Sequence, residues 1–138
     1  MTGTWFQIES KSISGLVLDV EGEKRGGRII LLPRRNDRIT QLWTWKEHTL
    51  LNFKGYILDM QGGYSASGTF ATAFDDYDGK NQKWKIKEDR IVSKLNELTL
   101  DISISPSVLY PCIKLQPISS QSKNAQSWWF VSADVTKM

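Results

Sequence analysis

A chain of 138 residues, 40% hydrophobic and 24% charged, is long enough to bury one core of its own, leaves no room for a second domain, and is too apolar to stay disordered. Its net charge of +3 sets 18 basic against 15 acidic residues, mostly interspersed, so composition gives no call for nucleic acid as a partner. Cys112 is the only cysteine, which excludes an internal disulfide and every multi-cysteine zinc pattern.

From the start of the chain, Met1 to Gly15 alternates polar and apolar residues without the continuous apolar run of a secretory leader, and no later stretch has the length and apolarity of a membrane span. The expected location is therefore the cytoplasm, or the outside of the cell by a non-classical route. Strands are expected at Trp5-Phe6-Gln7-Ile8, Leu16-Val17-Leu18 and Arg28-Ile29-Ile30-Leu31-Leu32, then at Lys83-Trp84-Lys85-Ile86 and Lys114-Leu115-Gln116. Turn signals at Gly26-Gly27, Gly62-Gly63, Asp78-Gly79 and Ser105-Pro106 separate them, and no stretch carries a sustained helical stripe. The class is all-β.

Two markers recur three times. Leu18-Asp19-Val20, Leu58-Asp59-Met60 and Leu100-Asp101-Ile102 place their aspartates 40 and 42 residues apart. Gln41-Leu42-Trp43, Gln82-Lys83-Trp84 and Gln126-Ser127-Trp128 place their glutamines 41 and 44 apart, and each aspartate precedes its glutamine by 22, 23 or 25 residues. A fixed order and spacing held through the chain reports one structural unit used three times, with repeats of about 4–46, 47–88 and 89–133 inside a single domain over 1–138. About four strands per repeat make about twelve, arranged with pseudo-three-fold symmetry around a shared tryptophan core.

Three such repeats, each closing on Gln-x-Trp, resemble the R-type lectins, the β-trefoil family named for the ricin B chain. The resemblance covers essentially the whole chain. It implies a β-trefoil in which Trp43, Trp84 and Trp128 pack in the core, the three glutamines anchor local structure, and glycans ending in galactose or N-acetylgalactosamine are bound without any bond being made or broken.

In that family the sugar-contacting set is the aspartate after the second strand, an aromatic in the following hairpin and an asparagine directly before the motif glutamine. The chemistry suits a pyranose: a carboxylate accepts paired hydroxyls, an aromatic face packs against the C–H face, and an amide fixes orientation. The second repeat matches throughout, with Asp59 as acceptor, Phe74 stacking, Asn81 bonding a ring hydroxyl and Gln82 orienting Asp59. Thr72 shares a strand face with Phe74, and Met60 and Gln61 are expected to offer backbone groups. The first repeat keeps Asp19 and Gln41 but has Leu32 or Pro33 at the aromatic position and Thr40 for the amide. The third keeps Asp101 and Gln126 but has Ile118 and Ala125. Both are expected to be weak or silent. One good site per chain argues for a homodimer, or for one defined oligosaccharide held by extra contacts.

The remaining features are read more plainly. Asp75, Asp76, Asp78 and Asn81 surround Gly79, but a calcium loop would need a glutamate where Lys87 stands, so this is a polar hairpin tip; no metal or cofactor is expected. His48 and Cys112 lack a nucleophile motif, so no enzymatic activity is expected. Of Trp45 and Trp129, at least one is expected to face outward. Two rival readings remain. One is a trefoil acting through protein contacts, as a protease inhibitor or cytoskeletal binder, with Asp59 and Phe74 kept for structure. The other is acidic-glycan binding through Arg25, Arg28, Arg34, Arg35 and Arg38, a cluster otherwise read as a solvated face.

Overall fold

Short apolar-polar runs bounded by glycine, proline and polar turns satisfy their backbone by pairing with one another. In the computed structural model, which describes residues 4–63 and 66–137, they form antiparallel strands. The first repeat supplies β1 (Phe6–Ser10), β2 (Leu16–Val20), β3 (Ile29–Pro33) and β4 (Trp43–Lys46). The second supplies β5 (Thr49–Asn52), β6 (Ile57–Met60), β7 (Ala71–Phe74) and β8 (Trp84–Lys87). The third supplies β9 (Arg90–Ser93), β10 (Thr99–Ser103), β11 (Cys112–Gln116) and β12 (Trp128–Ser132). Met1–Gly3 and Met138 of the expected domain lie outside the described residues.

The first and fourth strands of the repeats close a ring. β4 pairs with β5, β8 with β9, and β12 with β1, the last running from Phe6 opposite Ser132 to Ser10 opposite Trp128. Within the repeats, Phe6 meets Trp43, the Trp84 amide donates to the His48 carbonyl and the Trp128 amide to the Asp89 carbonyl. Closure leaves these strands no free edge. The hairpins β2–β3, β6–β7 and β10–β11 cover one end and join each other at Cys112–Ile30, Arg28–Thr72 and Phe70–Lys114. This is a β-trefoil.

The core repeats with the chain. Ile8, Leu50 and Ile91 come from the first strands, Leu18, Leu58 and Leu100 from the second, and Trp43, Trp84 and Trp128 from the fourth, all at most 1% exposed. Of the three tryptophans outside the repeat pattern of the core, Trp5 is buried, Trp129 faces outward with Lys11 Nζ 3.9 Å from its ring centre, and Trp45 is partly covered by Phe130.

Buried indole N–H groups need acceptors. Trp84 donates to the Leu58 carbonyl at 3.1 Å and Trp43 to Leu18 at 3.4 Å, whereas the Trp128 N–H meets no acceptor among the described residues. Trp84→Phe therefore loses volume and orphans a buried carbonyl, while Trp128→Phe loses the same volume and removes an orphaned donor. Urea unfolding should show Trp128→Phe to be the milder change by about 1–3 kcal/mol; equal losses would mean that the Trp128 N–H is bonded in solution.

Candidate functional site

Residues alternate sides along β6, so Leu58 and Met60 fill the core and Asp59 points the other way. The register of β6 and β7 sets Asp59 opposite Thr72 and Ile57 opposite Phe74, which puts Asp59, Thr72 and Phe74 on one face. The chain then loops through residues 75–79, and the short 3-10 turn Lys80–Gln82 brings Asn81 and Gln82 back beneath Asp59.

Gln82 is the hub. Its Nε2 donates to Asp59 Oδ2 at 2.9 Å and to the Asp75 carbonyl at 2.8 Å, while its Oε1 accepts from the Tyr77 and Gly79 amides at 3.2 and 3.3 Å. Asn81 Nδ2 donates to Asp59 Oδ1 at 2.9 Å, to the Met60 carbonyl at 3.1 Å and to the Tyr77 hydroxyl oxygen at 2.7 Å. The Met60 carbonyl is thus engaged inside the protein. The Gln61 amide is engaged too, donating to the Phe70 carbonyl at 3.0 Å, while its side chain lies exposed. Phe74 is flanked on its face by the Arg25 guanidinium, 4.5 Å from the ring centre, and at its edge by Tyr77.

The other two repeats have the same frame with different fillings. Gln41 Nε2 donates to Asp19 Oδ2 and the Pro33 carbonyl, and Gln126 Nε2 to Asp101 Oδ2 and the Pro117 carbonyl. A carboxylate has about four lone-pair sites. Those of Asp19 are all taken, by the Val20 amide, the Thr40 hydroxyl, Gln41 and the Arg38 guanidinium. Asp19 is wholly buried and has nothing left for a ligand. Asp59 accepts from two protein amides and retains capacity. Asp101 also has capacity, but Ala125 and Ile118 stand where an amide and an aromatic would complete a pocket.

Burial raises the Asp59 pKa above the ordinary carboxylate value, and hydrogen bonds from Gln82, Tyr77 and Asn81 partly oppose it. Asp101 is raised likewise, chiefly by burial. In the arginine segment, Arg25 pairs with Asp75, Arg34 with Glu9, Arg35 with Asp37, and Arg38 with Asp19 and Glu23, while Arg28 lies over the Phe70 ring. The apparent basic cluster is largely neutralised in place. At the tip of the second repeat, Asp76 accepts from the Asp78 amide and Asp78 pairs with Lys83, so these carboxylates do not converge. A cleft of about 570 Å³, lined by Gln7, Arg34, Asn36 and Asp134 among others, is elsewhere and includes no residue of the Asp59 constellation.

A sequence model of the ricin-type β-trefoil lectin domain matches residues 4–128. The chain belongs to this family. No curated protein matches the chain at a significant level. Among solved structures, the mdaA-1 domain superposes with a TM-score of 0.84 at 25% identity, covering 99% of this chain and 93% of that one. The C-half of the earthworm R-type lectin, solved with N-acetylgalactosamine, gives 0.73 at 20% identity over 94% and 98%. An exo-β-1,3-galactanase from Clostridium thermocellum gives 0.75 at 20% identity, where the match spans 96% of this lectin domain and 31% of the galactanase chain.

Sequence reasoning located the aspartates and glutamines of this lectin domain, but it missed Tyr77, Arg25 and Arg38. Arg38 was visible only as one arginine of five, and the signal that could have singled it out is its position three residues before Gln41. Removing one partner of a buried ion pair leaves the other charge uncompensated. Arg38→Ala should cost about 2 kcal/mol in urea unfolding, less than a fully buried pair because 21% of the Arg38 side chain remains in water. Pairing it with Asp19→Asn should recover part of that loss, and additive losses would contradict the coupling.

Proposed function

We propose that this lectin domain binds glycans ending in galactose or N-acetylgalactosamine through a single non-catalytic pocket in the second repeat. The supporting observation is the difference in spare acceptor capacity. Asp59 alone combines an unsaturated buried carboxylate with an adjacent amide donor, Asn81, and with aromatic walls, Phe74 and Tyr77. Asp19 is saturated by Arg38 and Thr40, and Asp101 lacks both neighbours. Galactose as the sugar rests on family membership and on the N-acetylgalactosamine complex of the earthworm relative.

In this reading Asp59 accepts two neighbouring hydroxyls, Asn81 donates to one of them, and Gln82 holds the carboxylate in line. No second carboxyl joins Asp59 within this constellation, so it offers no acid-base pair for cleaving a glycosidic bond. One shallow site binds in the millimolar to micromolar range, roughly −4 to −8 kcal/mol, and a homodimer would add avidity. Neutralisation of the arginine segment weighs against an acidic-glycan site there.

Isothermal titration of N-acetylgalactosamine into wild type and Asp59→Asn, with folding of both checked by circular dichroism, should give binding only in wild type. Absence of binding by wild type across galactose-type sugars would favour a protein-contact role. The pH dependence has a definite sign. An ionised Asp59 is required, and its folded pKa lies above the ordinary 3.8, so binding should be lost on acidification at a pH above that value. The native state holds this proton more tightly than the unfolded chain, so the same group lowers stability as pH rises from 3.8 through its folded pKa. In Asp59→Asn the fall in stability above pH 3.8 should be smaller, with the part due to Asp101 remaining; an unchanged profile would contradict the assignment.

A further inference from the structure

Access to the pocket raises a difficulty that the binding chemistry alone does not resolve. Asp59 is only 2% exposed and Asn81 only 6%, yet both must touch a ligand arriving from water. Among the described residues Tyr77, half exposed itself, lies against them, its ring nearly perpendicular to that of Phe74 with centres 6.1 Å apart and its hydroxyl oxygen accepting from Asn81 Nδ2 at 2.7 Å. With its oxygen engaged by Asn81, the hydroxyl has its proton left to offer, and the phenol lowers the Asp59 pKa against the larger opposing effect of burial. A sugar hydroxyl that accepted from Asn81 and donated to Asp59 would make the same pair of contacts.

Building on the proposed function, we propose that Tyr77 is the access-controlling and specificity-determining residue of the second-repeat pocket, its phenol standing in for a sugar hydroxyl until a ligand displaces it. The backbone beneath it is fixed: Gln82 Oε1 holds the Tyr77 and Gly79 amides, Arg25 pairs with Asp75 at 2.7 Å, and Asp78 is in the left-handed region at φ 58°. Opening is therefore a rotation of one side chain about its own bonds rather than a movement of the loop. Gly79 is required for closure, since a Cβ there would collide with both the Tyr77 ring and the Asn81 amide.

The test is Tyr77→Phe, which keeps the ring against Phe74 and removes only the competing hydroxyl. Titrated with N-acetylgalactosamine, it should bind about three- to tenfold more tightly than wild type, the value of one net hydrogen bond, with faster association in stopped flow. Equal or weaker binding would overturn the proposal and leave the lectin reading standing. If neither protein binds, the lectin reading fails, and titration of the Asp59 carboxyl by carbon NMR without ligand decides the closed contact separately. Losing the phenol should move its pKa further upward, and an unchanged value in Tyr77→Phe would show that the hydroxyl does not cap the carboxylate.

Discussion

The interaction on which this fold and its site both depend is the bond from a glutamine carboxamide to a buried aspartate, made three times: Gln41 to Asp19, Gln82 to Asp59 and Gln126 to Asp101. In each repeat the same carboxamide also ties down the loop between the hairpin and the fourth strand. Its nitrogen donates to the carbonyl of Pro33, Asp75 or Pro117, and its oxygen accepts the amide of Arg35, of Tyr77 and Gly79, or of Ser119. A buried polar group is costly unless fully bonded, so the chain can place an aspartate there only together with this glutamine. The Trp two residues later enters the core, and the carboxamide thereby couples the core to the rim.

A frame used three times can diverge in what occupies it. In the first repeat Arg38 and Thr40 complete the bonding of Asp19 in an internal ion pair that serves structure. In the third, Gln126 is braced from beneath by the buried Arg90, whose Nε reaches its Oε1 at 3.2 Å, and Ala125 and Ile118 stand where the second repeat has an amide and an aromatic. In the second the carboxylate keeps spare capacity beside an amide donor and two aromatic rings, and there the Asn81 amide is engaged by the Tyr77 phenol of the neighbouring loop.

The architecture was legible in the sequence because it depends on residues that repeat at fixed spacing: the Leu-Asp pairs, the Gln-x-Trp motifs and the apolar alternation between them. The outward-facing tryptophan was also anticipated. The contacts of the site were less legible. Arg38 and Arg25 act across gaps of 19 and 50 residues, on Asp19 and Asp75, and charge alone cannot say which carboxylate an arginine will meet. Tyr77 was hidden for a different reason. It stands in an irregular stretch where no periodicity fixes which way a side chain points, and Phe74, placed on a strand by alternation, drew the stacking role that the loop makes contestable. The arginine cluster misled in the same way, since sequence shows like charges together but not the acidic partners that folding delivers to each.

Asymmetry among three equivalent frames is the central claim, and the most direct measurement is a titration of the isotopically labelled protein with N-acetylgalactosamine, followed residue by residue in amide NMR spectra. The account requires shifts confined to residues 59–63 and 72–82, with the amides around Asp19, Gln41, Asp101 and Gln126 undisturbed. Shifts centred on the first or third repeat would show that spare acceptor capacity at Asp59 does not decide where sugar binds.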